Sequence, residues 1–185
     1  MSEHKKIIAF TGPKQSGKST AADYLVGNSF KKMSFAEPIK DIVWFLLQGF
    51  KLEQDYIEQL MTIHKEVVIP ELGVSARHLM QTLGTEWGRT LIHPDIWALW
   101  MSKRLVSETP GYLVFDDVRF ENEAALIRSL GGLVIHISRG GLSADGHPSE
   151  SGIQIHAADV LINNDYAVVD LLRDVAAVVD WFMPA

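Results

Sequence analysis

Residues 12 to 19 read Gly-Pro-Lys-Gln-Ser-Gly-Lys-Ser, two glycines five positions apart with a Lys-Ser pair straight after the second. The apolar run Lys6 to Thr11 (KIIAFT) precedes them, and a helical pattern from Lys18 to about Val26 follows, ended by Gly27 and Asn28. This is G-x-x-x-x-G-K-[ST] in a strand-loop-helix context. Few architectures accept such a segment. A glycine-rich turn lets successive N–H groups converge on an anion, and the helix start adds its partial positive charge. Lys18 supplies an ammonium for the β and γ phosphates, and Ser19 a hydroxyl for Mg²⁺. The predicted cradle comprises Gly12, Lys14, Ser16, Gly17, Lys18, Ser19 and Thr20, with ATP and Mg²⁺ as the cofactors.

The rest of the chain alternates strand and helix patterns. Further strands are predicted at Phe30 to Phe35, Tyr112 to Asp116, Leu133 to Ser138 and Val160 to Ile162. Apolar runs of this kind suit parallel strands covered on both faces. Between the second and third strands the pattern is helical, with segments from Glu37 (Pro38 in the first turn), Glu53 to His64, Ser75 to Ile92 and Asp95 to Glu108. Gly73 to Ser75 supply a break and a cap, and Gly84 and Gly88 argue against an unbroken third segment. Helices are also predicted from Glu121 to Leu130 and Ala167 to Phe182. The expected fold is therefore α/β, the three-layer P-loop NTPase fold, with a five-stranded parallel sheet. A single domain is expected, with a core of about 1–35 and 110–185, a helical acceptor-binding insertion of about 36–109, and a polar lid loop of about 139–158.

Composition removes several classes of function. The chain has no cysteine, which excludes disulfides, thiolate nucleophiles and Cys-ligated zinc, and fits a reducing compartment. A net charge of −6 with no basic stripe speaks against polymeric nucleic acid as a partner. The seven histidines are scattered without ligand spacing, so no protein metal site is expected beyond Mg²⁺ carried with the nucleotide. The opening MSEHKKIIAFTG is too short in apolar residues for a secretory signal, and no run reaches the length of a membrane span. The expectation is a cytoplasmic protein with small-molecule nucleotide partners and no membrane contact.

Other candidates sit where strands end. Asp116 and Asp117 follow the third strand, on the ligand side of a parallel sheet, where either can support Mg²⁺ or the acceptor, or merely cap the next helix. Arg119 can grip a phosphate bidentately. After the second strand, Phe35 can pack on a base or belong to the core, beside Ala36, and Lys40 can meet an acceptor phosphate or solvent. In the insertion, Arg77 and Arg89 can bind phosphate, and Gln81 can read a base edge. Trp87, Trp97 and Trp100 can stack or pack; core packing is the better reading for Trp100, and Trp97 stays open. Arg139 opens the lid loop, in which His147 and Glu150 can order a closed state. Asn164 can contact adenine or cap the last helix.

Taken together, GPKQSGKST, SFAEPIKD, LMQTLGTEWGR, HPDIW, DDVRFENEA and HPSE, in that order over nearly the whole chain, resemble the bacteriophage-type deoxynucleoside monophosphate kinases. The resemblance implies a nucleoside-monophosphate-kinase-like fold and transfer of the ATP γ-phosphate to a deoxynucleoside monophosphate. It implies that Lys40 and Asp41 line the acceptor site, with further contacts from Gly84, Thr85, Glu86, Asp95 and Trp97. It places Asp117 and Arg119 near the reacting phosphates and Arg139 in the lid. Phe45, at a base-facing position, has no hydroxyl to offer a base. A homodimer is left open. Two competing readings remain at this point: a kinase of dephospho-coenzyme A or another small metabolite, and a nucleotide-binding module without catalysis.

Overall fold

A computed structural model describes residues 6–109, 111–141 and 153–183. By its internal contacts the chain forms two compact units, one of Met1–Phe35 with Met101–Ala185 and one of Ala36–Trp100.

The first unit is built on a five-stranded sheet. Its strands are β1 (Lys6–Thr11), β2 (Lys31–Met33), β5 (Tyr112–Phe115), β6 (Leu133–Ser138) and β7 (Val160–Asn163). The order across the sheet is β2-β5-β1-β6-β7, and every pairing is parallel. β1 takes the centre, with Ile8 opposite Val114 on one side and Phe10 opposite Ile135 on the other. Five of its six residues are buried, as an apolar run in a covered parallel sheet requires. The predicted second strand, Phe30 to Phe35, is shorter than expected. Phe30 and Phe35 leave the ladder to pack their rings on Tyr112 and Phe115, at 5.3 and 5.2 Å between centroids.

Helices α1 (Lys18–Gly27) and α7 (Val168–Phe182) join one core with the sheet, where Ala21, Ala22, Leu25, Leu171 and Val175 meet Ile8, Phe10, Ile135 and Ile162. Residues alternate across a strand, so Ile7 and Ala9 face the other side. There α6 (Glu121–Ser129) buries Ala124 and Ile127. Helix, sheet and helix make the three layers predicted from the sequence.

A buried charge cluster ties α6 to the sheet. Asp159, whose side chain is 1% exposed, accepts hydrogen bonds from Arg128 Nε (3.0 Å) and Nη2 (2.7 Å) and from the His156 amide (2.9 Å). His136 Nε2 of β6 lies 2.9 Å from the same carboxylate. Burial alone would raise the Asp159 carboxyl. The Arg128 hydrogen bonds, the His156 N–H and His136 together overcome it and bring the pKa down to about 2.

The second unit is helical. It holds α2 (Glu37–Gly49), α3 (Gln54–Met61), α4 (Ala76–Gln81) and the first turn of α5 (Ile96–Ser107). Val43, Leu47, Ile57, Leu60, Ile69 and Ala76 form its own core. Each fully buried aliphatic side chain there contributes roughly 1.5–3 kcal/mol. Two features depart from the sequence reading. Strands β3 (Val68–Ile69) and β4 (Val74–Ser75) make a small antiparallel pair where only a break was expected. The helix predicted from Ser75 to Ile92 does begin at Ser75, whose hydroxyl caps the His78 amide at 3.2 Å, but it is α-helical only to Gln81. Residues Thr82–Ile92 form a π-helix. π-Helical turns are rare and concentrate at functional sites.

Candidate active site

All five strands of the sheet end at the same edge, and each is followed at once by a glycine or a polar residue. Gly12 follows β1, Ser34 β2, Asp116 β5, Arg139 β6 and Asn164 β7. The strand order reverses at β1, and ligands of open α/β sheets bind outside the carboxyl ends at such a point.

The loop after β1 is shaped by sterics. Gly12 has φ 140°, and a Cβ there would lie 2.1 Å from the Ile137 carbonyl oxygen, so β6 itself forbids a side chain. Gln15 holds φ 66°, an uncommon conformation for a residue with a side chain. Lys18 curls over the loop and donates to the carbonyls of Gly12 (2.7 Å) and Pro13 (2.6 Å). Ser16 is fully buried, Lys14 is exposed, and Ser19 and Thr20 open to solvent on the first turn of α1. A cavity of about 230 Å³ is lined by Gln15, Gly17, Lys18, Ser19, Thr20, Arg139 and Asn164, with Val168 and Leu171 of α7 as its apolar wall.

The two aspartates after β5 have different partners. Asp116 is paired with Lys32 at 2.9 Å, and Lys32 also reaches Asp23 at 3.0 Å. Asp117 accepts from the Ser34 hydroxyl at 2.7 Å and from the Phe35 amide at 3.2 Å, joining the end of β2 to the end of β5. Hydrogen bonds to an ionised acceptor are about twice as strong as neutral ones. Ser34 was not singled out in the sequence, although it stands at a strand end just as Asp116 does. Glu123 is a second such residue. Its buried carboxylate accepts from the amides of Arg119 (2.9 Å) and Phe120 (3.2 Å), fixing the backbone that carries the Arg119 side chain. Its place three residues after the helix cap was the available signal.

At the end of β6, Arg139 is exposed and the Gly140 amide donates to Asp165 at 2.5 Å. That hydrogen bond, one from Asn163 and the charge of Arg139 hold the Asp165 carboxyl below its ordinary value. Asn164, expected either to touch adenine or to cap the last helix, is not the cap: α7 starts four residues later. It is buried, and its side-chain amide donates to the Ser16 carbonyl at 2.8 Å. His147 and Glu150 lie outside the described residues.

Two aromatic candidates are corrected. Phe35 is 2% exposed, its ring tilted against that of Phe115 in the core, so the ring is not presented to a base. Trp97 is 3% exposed, and its indole N–H donates to the Gly84 carbonyl at 2.8 Å. The same carbonyl accepts from Arg89 Nη1 at 2.9 Å, so both of its lone pairs serve to hold the π-helix. Trp97→Phe removes one of these donors while keeping most of the ring. We expect a loss of about 1–2 kcal/mol in unfolding free energy, read as a lower urea midpoint at unchanged slope.

Further candidates of the second unit are at least partly accessible. Lys40 and Asp41 stand exposed early in α2, and Phe45 is 77% exposed on the same helix. Ala36 precedes α2 and accepts from the Lys40 amide. Arg77 pairs with Glu66. Gln81 ends α4, half-buried. Thr85 and Glu86 lie in the π-helix, and the Asp95 amide donates to His93 Nδ1 at 3.0 Å. No group of three or more acidic or histidine side chains suited to a metal occurs among the described residues. No described helix is long and apolar enough to cross a membrane.

Comparison with known proteins points one way. A family model described as deoxynucleotide monophosphate kinase matches residues 51–175. A protein of Acanthamoeba polyphaga mimivirus named "Putative deoxynucleotide monophosphate kinase" is 31% identical over 94% of this chain and 96% of its own. The deoxynucleotide monophosphate kinase of Enterobacteria phage T4 is 27% identical over 92% of this chain and 97% of its own. The deoxynucleoside-5'-monophosphate kinase of Escherichia phage T5 is 34% identical over 55% of this chain and 44% of its own.

Proposed function

The chain belongs to the deoxynucleotide monophosphate kinase family, and from that premise we propose that it transfers the γ-phosphate of ATP to a deoxynucleoside 5'-monophosphate, giving the diphosphate. The observation that carries this reading is the convergence of all five strand ends on one edge, with a glycine-shaped loop and a lysine at its centre.

The residues fit a triphosphate. The loop from Gly12 to Thr20 presents backbone amides and a helix start, which suit phosphate oxygens. Mg²⁺ bound with the triphosphate would neutralise charge on its oxygens. Hard oxygen donors suit that ion, and it is usually held by one or two protein groups plus phosphate and water. Ser19 and one aspartate of the Asp116–Asp117 pair would be those groups. Asp116 has one oxygen held by the Lys32 ammonium, and Asp117 has one held by the Ser34 hydroxyl and the other by the Phe35 amide.

An acceptor phosphate is already anionic at neutral pH, so the protein's task is to align the groups and stabilise charge, without a general base. Lys18, Arg119 and Arg139 would share the charge on the transferred group. Asp117 would also keep the β2 end in place through Ser34 and Phe35. For the acceptor, Lys40, Asp41, Arg77, Gln81, Thr85, Glu86 and Asp95 of the second unit are the proposed contacts. The stretch 51–175 matched by the family model takes in five of these seven, from Arg77 to Asp95, together with Asp117, Arg119 and Arg139. The absence of cysteine fits the reducing cytoplasm in which such an enzyme would work.

A coupled ADP-release assay with ATP and Mg²⁺ across dAMP, dGMP, dCMP, dTMP and their ribose counterparts tests the proposal. Turnover with at least one deoxynucleotide is expected. Turnover with dephospho-coenzyme A alone, or ATP binding without ADP release on any acceptor, would overturn it.

A further inference from the structure

Asn164 is polar, buried, and 148 residues from the group it holds. Its side-chain N–H donates to the Ser16 carbonyl at 2.8 Å, and its backbone N–H donates to the Ser138 carbonyl at 2.8 Å. It also lines the same cavity as Lys18, Ser19 and Arg139.

The Ser16 carbonyl and the Gly17 N–H belong to one peptide plane. The chain has no cis peptide bonds among the described residues, so these two groups point in opposite directions. Whatever fixes the carbonyl therefore aims the amide. The flanking groups of this plane are bound already: the Ser16 amide donates to Pro13 at 3.2 Å, and the Gly17 carbonyl accepts from Ala21 at 3.0 Å. The Asn164 amide closes the remaining freedom. Gly17 leaves it room, since a Cβ there would lie 2.6 Å from Asn164 Nδ2, at a φ of 106° that L side chains rarely adopt.

We propose that Asn164 is a positioning residue for phosphate binding: it clamps the Ser16–Gly17 peptide so that the Gly17 N–H is set for a phosphate oxygen before nucleotide arrives. Through Ser138 it ties this peptide to the strand end that carries Arg139. The proposal rests on the phosphate-cradle reading above and gives Asn164 a task other than reading adenine. Preorganised donors bind without reorganising at the moment of use.

The test compares wild type, Asn164→Ala and Asn164→Asp by titration calorimetry with two probes, ATP and tripolyphosphate, the second lacking any base. Asn164→Asp keeps the shape, removes the donor and adds a negative charge, so it serves even if the alanine variant folds poorly. Affinity for both probes should fall by a similar factor, about 10-fold for alanine and about 100-fold for aspartate. In turnover, the KM for ATP should rise while the KM for the acceptor stays unchanged. Weaker binding of ATP alone would show that Asn164 reads the base and would overturn the clamp. Unchanged affinity for both probes, with only a lower Tm, would also overturn it. A wild-type chain that bound neither probe would sink the phosphate-cradle reading itself, and the clamp with it.

Discussion

Lys18→Ala is expected to lower kcat by about 10³-fold or more while leaving the fold intact. The two effects separate because the lysine has two kinds of partner. Within the protein it donates to the Gly12 and Pro13 carbonyls of its own loop. Those are half-buried groups that water can reach, so losing both bonds costs about 1–2 kcal/mol, or a Tm shift of several degrees. In the proposed reaction the same ammonium would face charge spread over the transferred phosphoryl group, and its removal would leave that charge unbalanced. Lys18→Arg keeps the charge but not the compact point geometry, and is expected to recover little. Steady-state assays under saturating ATP, with thermal melts on the same samples, check both halves. Turnover within tenfold of wild type in the alanine variant would refute the assignment.

The largest expected stability effect lies away from the chemistry. Arg128→Ala leaves the Asp159 carboxylate with 1% exposure and without its guanidinium partner. Breaking a buried pair from one side costs about 3–5 kcal/mol, because the survivor stays charged and dry. Adding Asp159→Asn should restore part of this loss, which a simple packing defect would not. The pH dependence has a definite sign. The folded pKa of about 2 lies below the ordinary value of 3.8, so the native state is favoured wherever the carboxyl is ionised in both states. That contribution, about 2–3 kcal/mol, is fully present above roughly pH 5 and disappears as the pH falls toward 2. Without Arg128 the carboxyl loses the strongest of the groups that lower it, and the upward push of burial is less fully opposed. The cost of the mutation should then be greatest near neutral pH and shrink in acid. Denaturant midpoints from pH 2 to 7 on both proteins check this, and a pH-independent difference would refute it.

Much of the fold is legible in the sequence because buried parallel strands leave apolar runs that need no knowledge of neighbours. Ile7 to Phe10, Leu113 to Phe115 and Val134 to Ile137 announce themselves this way, and the loop after the first of them carries its own chemistry in its spacing. What escapes the sequence depends on partners far along the chain. Nothing local says that Ser34 will meet Asp117, that Asn164 will hold Ser16, or that Asp159 will gather Arg128 and His136. Phe35 and Trp97 carry the right chemistry for stacking on a base, and only the packing around them decides otherwise. The β3–β4 pair has two residues per strand, too few for a period to show, and the π-helix shares its apolar spacing with an ordinary one over so short a stretch.

The second unit is one unbroken run of chain, Ala36–Trp100, set into a unit assembled from both ends. On the proposed assignment, choice of acceptor and handling of the donor would lie on separate stretches of chain, which two splice points could recombine between relatives.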